Sequence, residues 1–416
     1  MRKVLVVGKG GREHALARKF AQSAKVYVAP GNAGMKDVAT LVPIDENDFQ
    51  ALADFALSEK IDLTVIGPES LLEQNIAGFF KNAGLKVWGP DAEAAAIETS
   101  KSFAKDLMKK YKIPTAAYEV FTDYTAACEY VKNCKLPIVI KADGLAAGKG
   151  VVITESRDVA VETLNEMMIK GGLGEANRQV VIEEYMEGEE FSLIAFVAND
   201  RVYPMELAQD HKRAHDNDKG PNTGGMGAYS PVPQIGADVI KRAMDEIMLP
   251  AARAMVKENM PFFGFLFGGL ISTREGPKVI EFNARFGDPE AEVILPRLES
   301  DLYDVIMTLL DGGEPRLKWS GDAVVGVVLA SKGYPGKFKI GHKIDRLDSL
   351  DKNTMIFHCG TGEGGVTAGG RVLLAARKAA DIETAQREVY EEIKKIRCEN
   401  LFYRTDIGNR GKTCKS

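Results

Sequence analysis

The sequence predicts a multidomain protein of α/β and α+β type that opens on a Rossmann-like parallel sheet. Three observations predict it. The chain has 416 residues, 45% hydrophobic and 27% charged, enough for about three domain cores. Its first hundred residues repeat an apolar strand closed by a glycine or proline turn. Residues 3–7 run into Gly8-Lys9-Gly10-Gly11, 25–28 into Ala29-Pro30-Gly31-Asn32, 63–66 into Gly67-Pro68-Glu69, and 86–88 into Gly89-Pro90. Strands ending this way side by side line a ligand crevice along one edge of a parallel sheet. After residue 130 the pattern changes to strand, loop, strand, the signature of antiparallel pairs.

Composition narrows the class. Net charge is -5 with acids and bases interspersed, which argues against a nucleic-acid binder. Cys128, Cys134, Cys359, Cys398 and Cys414 are scattered and form no C-x-x-C, so neither a disulfide framework nor a zinc knuckle is indicated. The apolar run at the N-terminus is too short for a signal peptide, and 261–271 is too short and glycine-rich to span a bilayer. A soluble protein of the reducing cytoplasm is expected, with no membrane and no nucleic-acid partner.

Residues 12–17 open a helix directly after the first glycine turn, and a helix N-terminus attracts phosphate. The dinucleotide fingerprint fails, because Glu13 stands where a third small residue is needed and the second strand ends in Ala29-Pro30-Gly31 rather than an acid. Thr99 or Ser100 caps a helix over 101–111 that ends before Pro114. Residues 137–153 read as a hairpin flap: Gly144, Gly148 and Gly150 let backbone N–H groups approach phosphate, and Lys141 and Lys149 supply charge. Its glycine spacing and the strand that follows exclude a P-loop. Glu183-Glu184-Tyr185-Met186 joins two strands and could present backbone to a nucleobase.

Asp210-His211-Lys212-Arg213 precedes an ordered glycine-rich loop over 220–231. His211 and His215 lie in no evident strand or helix and lack a third partner, so a metal role is not expected. Residues 239–257 form an amphipathic helix kinked at Pro250. A strand over 263–272 pairs with the strand over 278–282. On the latter, Glu281 and Asn283 point to one face, away from Ile280 and Phe282. Two hard oxygen donors suit Mg²⁺ or Mn²⁺ rather than zinc. Arg285 follows as a planar clamp for carboxylate or phosphate. Spacing alone leaves open a sheet-end strand whose polar residues face water. Beyond it come mostly helix over 291–310, a break at 312–315, strands at 323–330, 355–359 and 371–374, and a helix over 382–396.

Three runs together, Asp210-His211-Lys212-Arg213, residues 220–231 and Arg285-Phe286-Gly287-Asp288-Pro289-Glu290, resemble the glycinamide ribonucleotide synthetase (phosphoribosylamine–glycine ligase) family. These are ATP-grasp enzymes of purine biosynthesis. The glycine turn, flap, hinge and Glu281-x-Asn283 pair fall in the family's order over the whole chain, with 375–379 matching more loosely because it is charged. The resemblance implies three domains, 1–100, 101–316 and 317–416. The middle one would be an ATP-grasp core with a small lid at about 115–186, and the last a mixed α/β domain. It implies ATP-dependent joining of glycine to 5-phosphoribosylamine by a monomer.

By the same resemblance, Lys101 and Lys141 hold ATP phosphates under the Gly144–Gly150 flap with Lys149. Backbone at Glu183, Glu184 and Tyr185 reads adenine, and Glu190 the ribose. Glu281 and Asn283 hold Mg²⁺ or Mn²⁺, and Arg285 stabilises the glycyl phosphate. Asp210, Lys212, Asn222 and Thr223 line the substrate cleft, with Asp210, Lys141 and Arg285 as the catalytic set. Gly10, Gly11, Asn32, Pro68 and Glu69 hold the ribose 5-phosphate end. The rivals are another ATP-grasp ligase, separable by its substrate, and a non-catalytic nucleotide sensor, which would release no ADP.

Overall fold

A computed structural model describes residues 1–145, 150–170 and 179–412. The N-terminal region forms a five-stranded parallel sheet in the order Thr40–Leu41, Lys25–Pro30, Lys3–Gly8, Leu63–Ile66, Val87–Trp88. The strands are apolar throughout because helices and neighbouring segments cover both faces. Leu5 and Val7 pack into one core cluster, and Val4 and Val6 into another. The order puts the glycine and proline turns of Gly8, Pro30 and Gly67 along one sheet edge, as the repeated strand ends predict.

The helix Lys101–Tyr111 starts where expected, with the Ser100 hydroxyl accepting from the Phe103 N–H at 3.2 Å. The lid is an antiparallel sheet ordered Tyr118–Phe121, Val180–Glu184, Ile138–Ala142, Val151–Thr154. It has a core of its own, built from Val131, Ile140, Leu164 and Ile182. The flap is the turn between Ile138–Ala142 and Val151–Thr154, where Lys141 opposes Val151. Gly148 and Lys149 lie outside the described residues.

A second antiparallel sheet, ordered Arg201–Pro204, Glu189–Ala198, Phe263–Thr273, Gly276–Asn283, floors the cleft below the lid. Its last pair contains a bulge: Gly269 opposes Glu281 and Leu270 opposes Val279, so Ile280 has no partner across the strand. The sequence places Ile280 away from the cleft by simple alternation. The bulge breaks that alternation and brings Ile280 to the cleft wall.

A third sheet runs Gln209–Asp210, Gly227–Ser230, Ala323–Ser331, Arg371–Ala379, Met355–His358. It joins strands on both sides of the 316–317 division expected from sequence, because Gly227–Ser230 pairs directly with Ala323–Ser331. The charged stretch 375–379 remains strand: Arg377 sends its guanidinium outward to Glu388 and Asp351, both at 2.6 Å. Helix Ile382–Ile393 packs on this sheet. The kink expected at Pro250 is taken up as a single π-turn, Met244–Met248, inside an otherwise continuous helical run. Among the described residues no helix is long and apolar enough to cross a membrane.

Candidate active site

Lid, floor, helices of the N-terminal region and C-terminal residues including Tyr334 and Arg371 line a cleft of about 950 Å³. Most residues singled out from sequence line it: Glu69, Lys101, Lys141, Gly150, Glu183, Glu184, Tyr185, Glu190, Asp210, Lys212, Asn222, Thr223, Glu281, Asn283 and Arg285. Gly10, Gly11, Asn32, Pro68 and Gly144 stand outside its lining.

At the lid end, strand Ile138–Ala142 delivers Lys141 to the cleft. Its ammonium donates to the Ile280 carbonyl at 3.0 Å, the group that the bulge leaves unpaired, and lies 2.8 Å from Glu183 Oε1. Glu183 Oε2 lies 2.8 Å from Lys105, which also donates to Thr115 Oγ1 at 2.8 Å. Glu183 was expected to offer backbone alone; its buried side chain instead bridges two lysines. Lys105 gave no sign in the sequence, standing as one of several lysines on an amphipathic helix. Burial lowers Lys105 to about 8, with Glu183 opposing. Lys101 donates to the Gly144 carbonyl at 2.9 Å and has no carboxylate within ion-pair distance among the described residues; burial lowers its pKa. Asp143, at the base of the flap, accepts from the Ser102 N–H at 2.6 Å and hydroxyl at 2.9 Å, fixing the flap to the start of the Lys101–Tyr111 helix.

On the floor, Glu281 and Asn283 end the strand Gly276–Asn283, opposite Gly269 and Phe267. Lys212 Nζ lies 3.7 Å from Glu190 and 4.0 Å from Glu281. Burial works against the Glu281 carboxylate, but Lys212, Lys141, Lys101 and Arg285 hold its pKa below the ordinary value. Asp210 behaves oppositely: burial, with Glu290, Glu190 and Glu281 nearby, raises it to about 7 against the pull of Lys212. Asp210, Glu190, Glu281 and Glu290 all act on Lys212, and of these Asp210 and Glu290 are raised while Glu281 stays ionised and offers its oxygens to a cation. Among the described residues no three His, Cys, Asp or Glu side chains form a complete ligand set. An ion held by Glu281 and Asn283 therefore takes its remaining oxygens from phosphate and water, as Mg²⁺ prefers.

His211 sits in structure that the sequence did not reveal. Strands Gln209–Asp210 and Arg213–His215 pair with Gly227–Ser230 and Lys219–Asn222. The imidazole is buried against Tyr229, and burial lowers it to about 4, keeping it neutral. Thr223 hydroxyl accepts from the Gly225 N–H at 3.0 Å and donates to the Lys212 carbonyl at 2.9 Å, tying the glycine loop to the residue that faces Glu281.

Arg285 projects between two acids. Its Nη2 lies 2.9 Å from Glu98 Oε1 and its Nε 3.3 Å from Glu69 Oε2. Burial disfavours both carboxylates. Arg285 and Arg12 nevertheless hold Glu69 at about 2, whereas Glu98 rises to about 7. Glu98 and Arg12 are site residues that sequence reasoning missed, since their partners lie 187 and 57 positions away by residue number.

The first glycine turn differs from expectation. The Gly10 N–H donates to Glu13 Oε2 at 2.6 Å, so the helix cap is the chain's own carboxylate. A Cβ on Gly11 would stand 2.3 Å from Glu292 Oε1 and 2.7 Å from Cys359 Sγ. Gly11 thus permits close packing against Glu292 and Cys359. Asn32 donates to the Lys9 and His358 carbonyls, each at 2.8 Å, stitching the same regions together. Pro68 packs beside Gly8 and sets Glu69 at the start of helix Glu69–Glu73.

Family models place this geometry. The phosphoribosylglycinamide synthetase N domain matches residues 2–98, its ATP-grasp (A) domain 99–291, and its C domain 324–410. The chain belongs to the phosphoribosylglycinamide synthetase family. A phosphoribosylamine–glycine ligase of Halalkalibacterium halodurans is 56% identical over 413 residues, 98% of this chain and 96% of that one. The Listeria innocua ligase of the same name is 51% identical over 416 residues, 98% and 99% of the two chains. The crystal structure of the Thermotoga maritima phosphoribosylamine–glycine ligase superposes with TM-score 0.86 at 36% identity, covering 97% of this chain and all of that one. The biotin carboxylase domain of Hydrogenobacter thermophilus 2-oxoglutarate carboxylase, at 15% identity and TM-score 0.74, shares the fold. The synthetase family's ATP-grasp segment contains Lys101, Lys141, Glu183, Glu281, Asn283 and Arg285.

Proposed function

We propose that this protein joins glycine to 5-phosphoribosylamine, converting ATP to ADP and phosphate and giving glycinamide ribonucleotide for de novo purine biosynthesis in the cytoplasm. The observation that carries the reading is the meeting in one cleft of Lys101 and Lys141 from the flap side with Glu281, Asn283 and Arg285 from the floor, in a chain related end to end to ligases of that name.

A carboxylate is a poor acyl donor, so glycine is first activated. Its carboxylate oxygen attacks the γ-phosphorus and ADP leaves. The amine nitrogen of phosphoribosylamine then attacks the acyl carbon, and phosphate departs with the electrons of the C–O bond. Phosphoryl transfer of this kind depends on positioning and charge neutralisation rather than a protein nucleophile. Lys101, which has no carboxylate within ion-pair distance among the described residues, and Lys141 neutralise ATP phosphates, while the backbone at Glu184 and Tyr185 faces the adenine end and Glu190 the ribose. Glu281 and Asn283 would hold Mg²⁺ or Mn²⁺, which would supply charge neutralisation for the phosphoryl transfer. Arg285, fixed by Glu69 and Glu98, stabilises the glycyl phosphate. Asp210, poised at about 7, can take up the proton that the amine loses. Lys212, Asn222 and Thr223 border the amine and ribose. The phosphate of the ribosylamine is bound beside Arg12, which stands in the first turn of the helix Gly11–Phe20 and lines the cleft.

The test is ADP release with each substrate omitted in turn, with the product identified by mass. Release that continues unchanged without glycine defeats the assignment.

A further inference from the structure

Arg285 is long, and a guanidinium held by one partner keeps much of its freedom. Here it is held from two sides by residues before the ATP-grasp segment. Glu98 is the more enclosed of the two, with its side chain 4% exposed against 33% for Glu69. It stands in the last turn of helix Ala92–Thr99. One carboxylate oxygen lies 2.9 Å from Arg285 Nη2, and the other accepts the Ala284 N–H at 2.6 Å. A single carboxylate thus grips consecutive residues, one by its backbone and one by its side chain, directly after Asn283. Two residues beyond Glu98 the Ser100 cap begins the helix that carries Lys101. The short segment 98–101 therefore ties Arg285 on the floor to the lysine at the flap.

A buried ion pair adds little net stability compared with apolar residues of equal volume. What it supplies is orientation: Nε donates to Glu69 at 3.3 Å, Nη1 donates to the Phe286 carbonyl at 3.3 Å, and Glu98 at ion-pair distance holds the remaining Nη2 side, so all three nitrogens of the guanidinium are fixed. We propose that Glu98 is a positioning residue for the ligation: it sets the plane and reach of Arg285 over the site where the acyl phosphate forms. This rests on the role given to Arg285 above.

The test uses the full chain with Glu98→Gln and Glu98→Asp, each alone and combined with Arg285→Lys. Glu98→Gln has one oxygen for two donors: keeping it on the Ala284 N–H turns the amide NH₂ toward the guanidinium. Misplacement of a reacting-site group by about 1 Å costs roughly 10²-fold. A loss of that order in kcat is expected for Glu98→Gln, with the dissociation constant for ATP close to wild type, at an assay temperature well below a melting point that itself falls because a buried pair is broken from one side. Glu98→Asp keeps the charge on a shorter arm and guards against misfolding of the first variant; it should lose less. Once Arg285→Lys is present, adding either change should cost little more, since both act through the same guanidinium. Normal kcat in both Glu98 variants overturns the proposal. So do losses that add fully to that of Arg285→Lys, or that are matched by equally weakened ATP binding. Arg285→Lys with normal kcat would instead defeat the role assigned to Arg285 itself.

Discussion

Glu183→Gln removes the one negative charge shared by two buried lysines. The side chains of Lys105, Lys141 and Glu183 are 2–5% exposed, so water does not replace the lost partner. Both ion contacts are 2.8 Å. At an effective dielectric of about 20 each represents roughly 6 kcal/mol of gross attraction, most of it offset by the desolvation of three charges. Breaking a buried pair by removing one partner costs about 3–5 kcal/mol. The low end, about 3 kcal/mol, is expected here. Lys105 is already lowered to about 8 by burial and can shed its proton instead of remaining an unpaired cation. The pH dependence follows. A lysine whose folded pKa lies below its unfolded value of about 10.4 binds fewer protons when folded, so its contribution to stability rises with pH from about 8 to 10.4. In the variant that rise starts lower, so the gap from wild type narrows as pH climbs toward 8 and then stays constant, which makes it smaller at pH 9 than at pH 7. Urea unfolding at pH 7 and pH 9, with hydrogen exchange followed in strands Ile138–Ala142 and Val180–Glu184, measures it. A loss under about 1 kcal/mol at pH 7, or one that widens with pH, would refute the reasoning.

Gly11→Ala should cost about 1–3 kcal/mol by overpacking against Glu292 and Cys359 while leaving ATP affinity unchanged. An unaltered melting temperature with a raised KM for phosphoribosylamine would support the anion-site reading of that glycine. His14 is enclosed, accepts the His358 N–H at 2.9 Å on Nδ1, and is lowered by burial to about 3. It is neutral when folded but protonates near 6.5 when unfolded, so stability should fall as pH drops below about 6.5. Urea midpoints at pH 7 and pH 5 should differ more in wild type than in His14→Asn; equal differences contradict it. Glu281→Ala should keep the fold and lower kcat by about 10²–10³-fold. Near-normal turnover at saturating Mg²⁺ would pass the metal role to another acid.

What the sequence revealed was what local pattern encodes. The Ser100 cap, the hairpin around Lys141 and the strand that ends at Asn283 follow from propensity, periodicity and turn residues, and the structure places them as expected. What stayed hidden depends on partners distant in the chain. Nothing near Glu98 announces Arg285, and nothing near Glu183 announces that its side chain, rather than its backbone, meets Lys105 and Lys141. The strands around His211 were missed because Gln209–Asp210 is two residues long and exists only through pairing with Gly227–Ser230. Gly11 is ambiguous for a physical reason. A glycine at a helix start reads equally as room for a phosphate or as room for a neighbouring side chain, and only the position of Glu292 decides.

The most direct test of the proposed activity is a substrate-omission assay on the intact chain. ADP formation is followed with ATP, Mg²⁺, glycine and freshly generated phosphoribosylamine, and the product is identified by mass. ADP should form in step with glycinamide ribonucleotide and fall to background when either glycine or the ribosylamine is withheld. ADP released at the full rate without glycine, or full turnover with no glycinamide product, would contradict it.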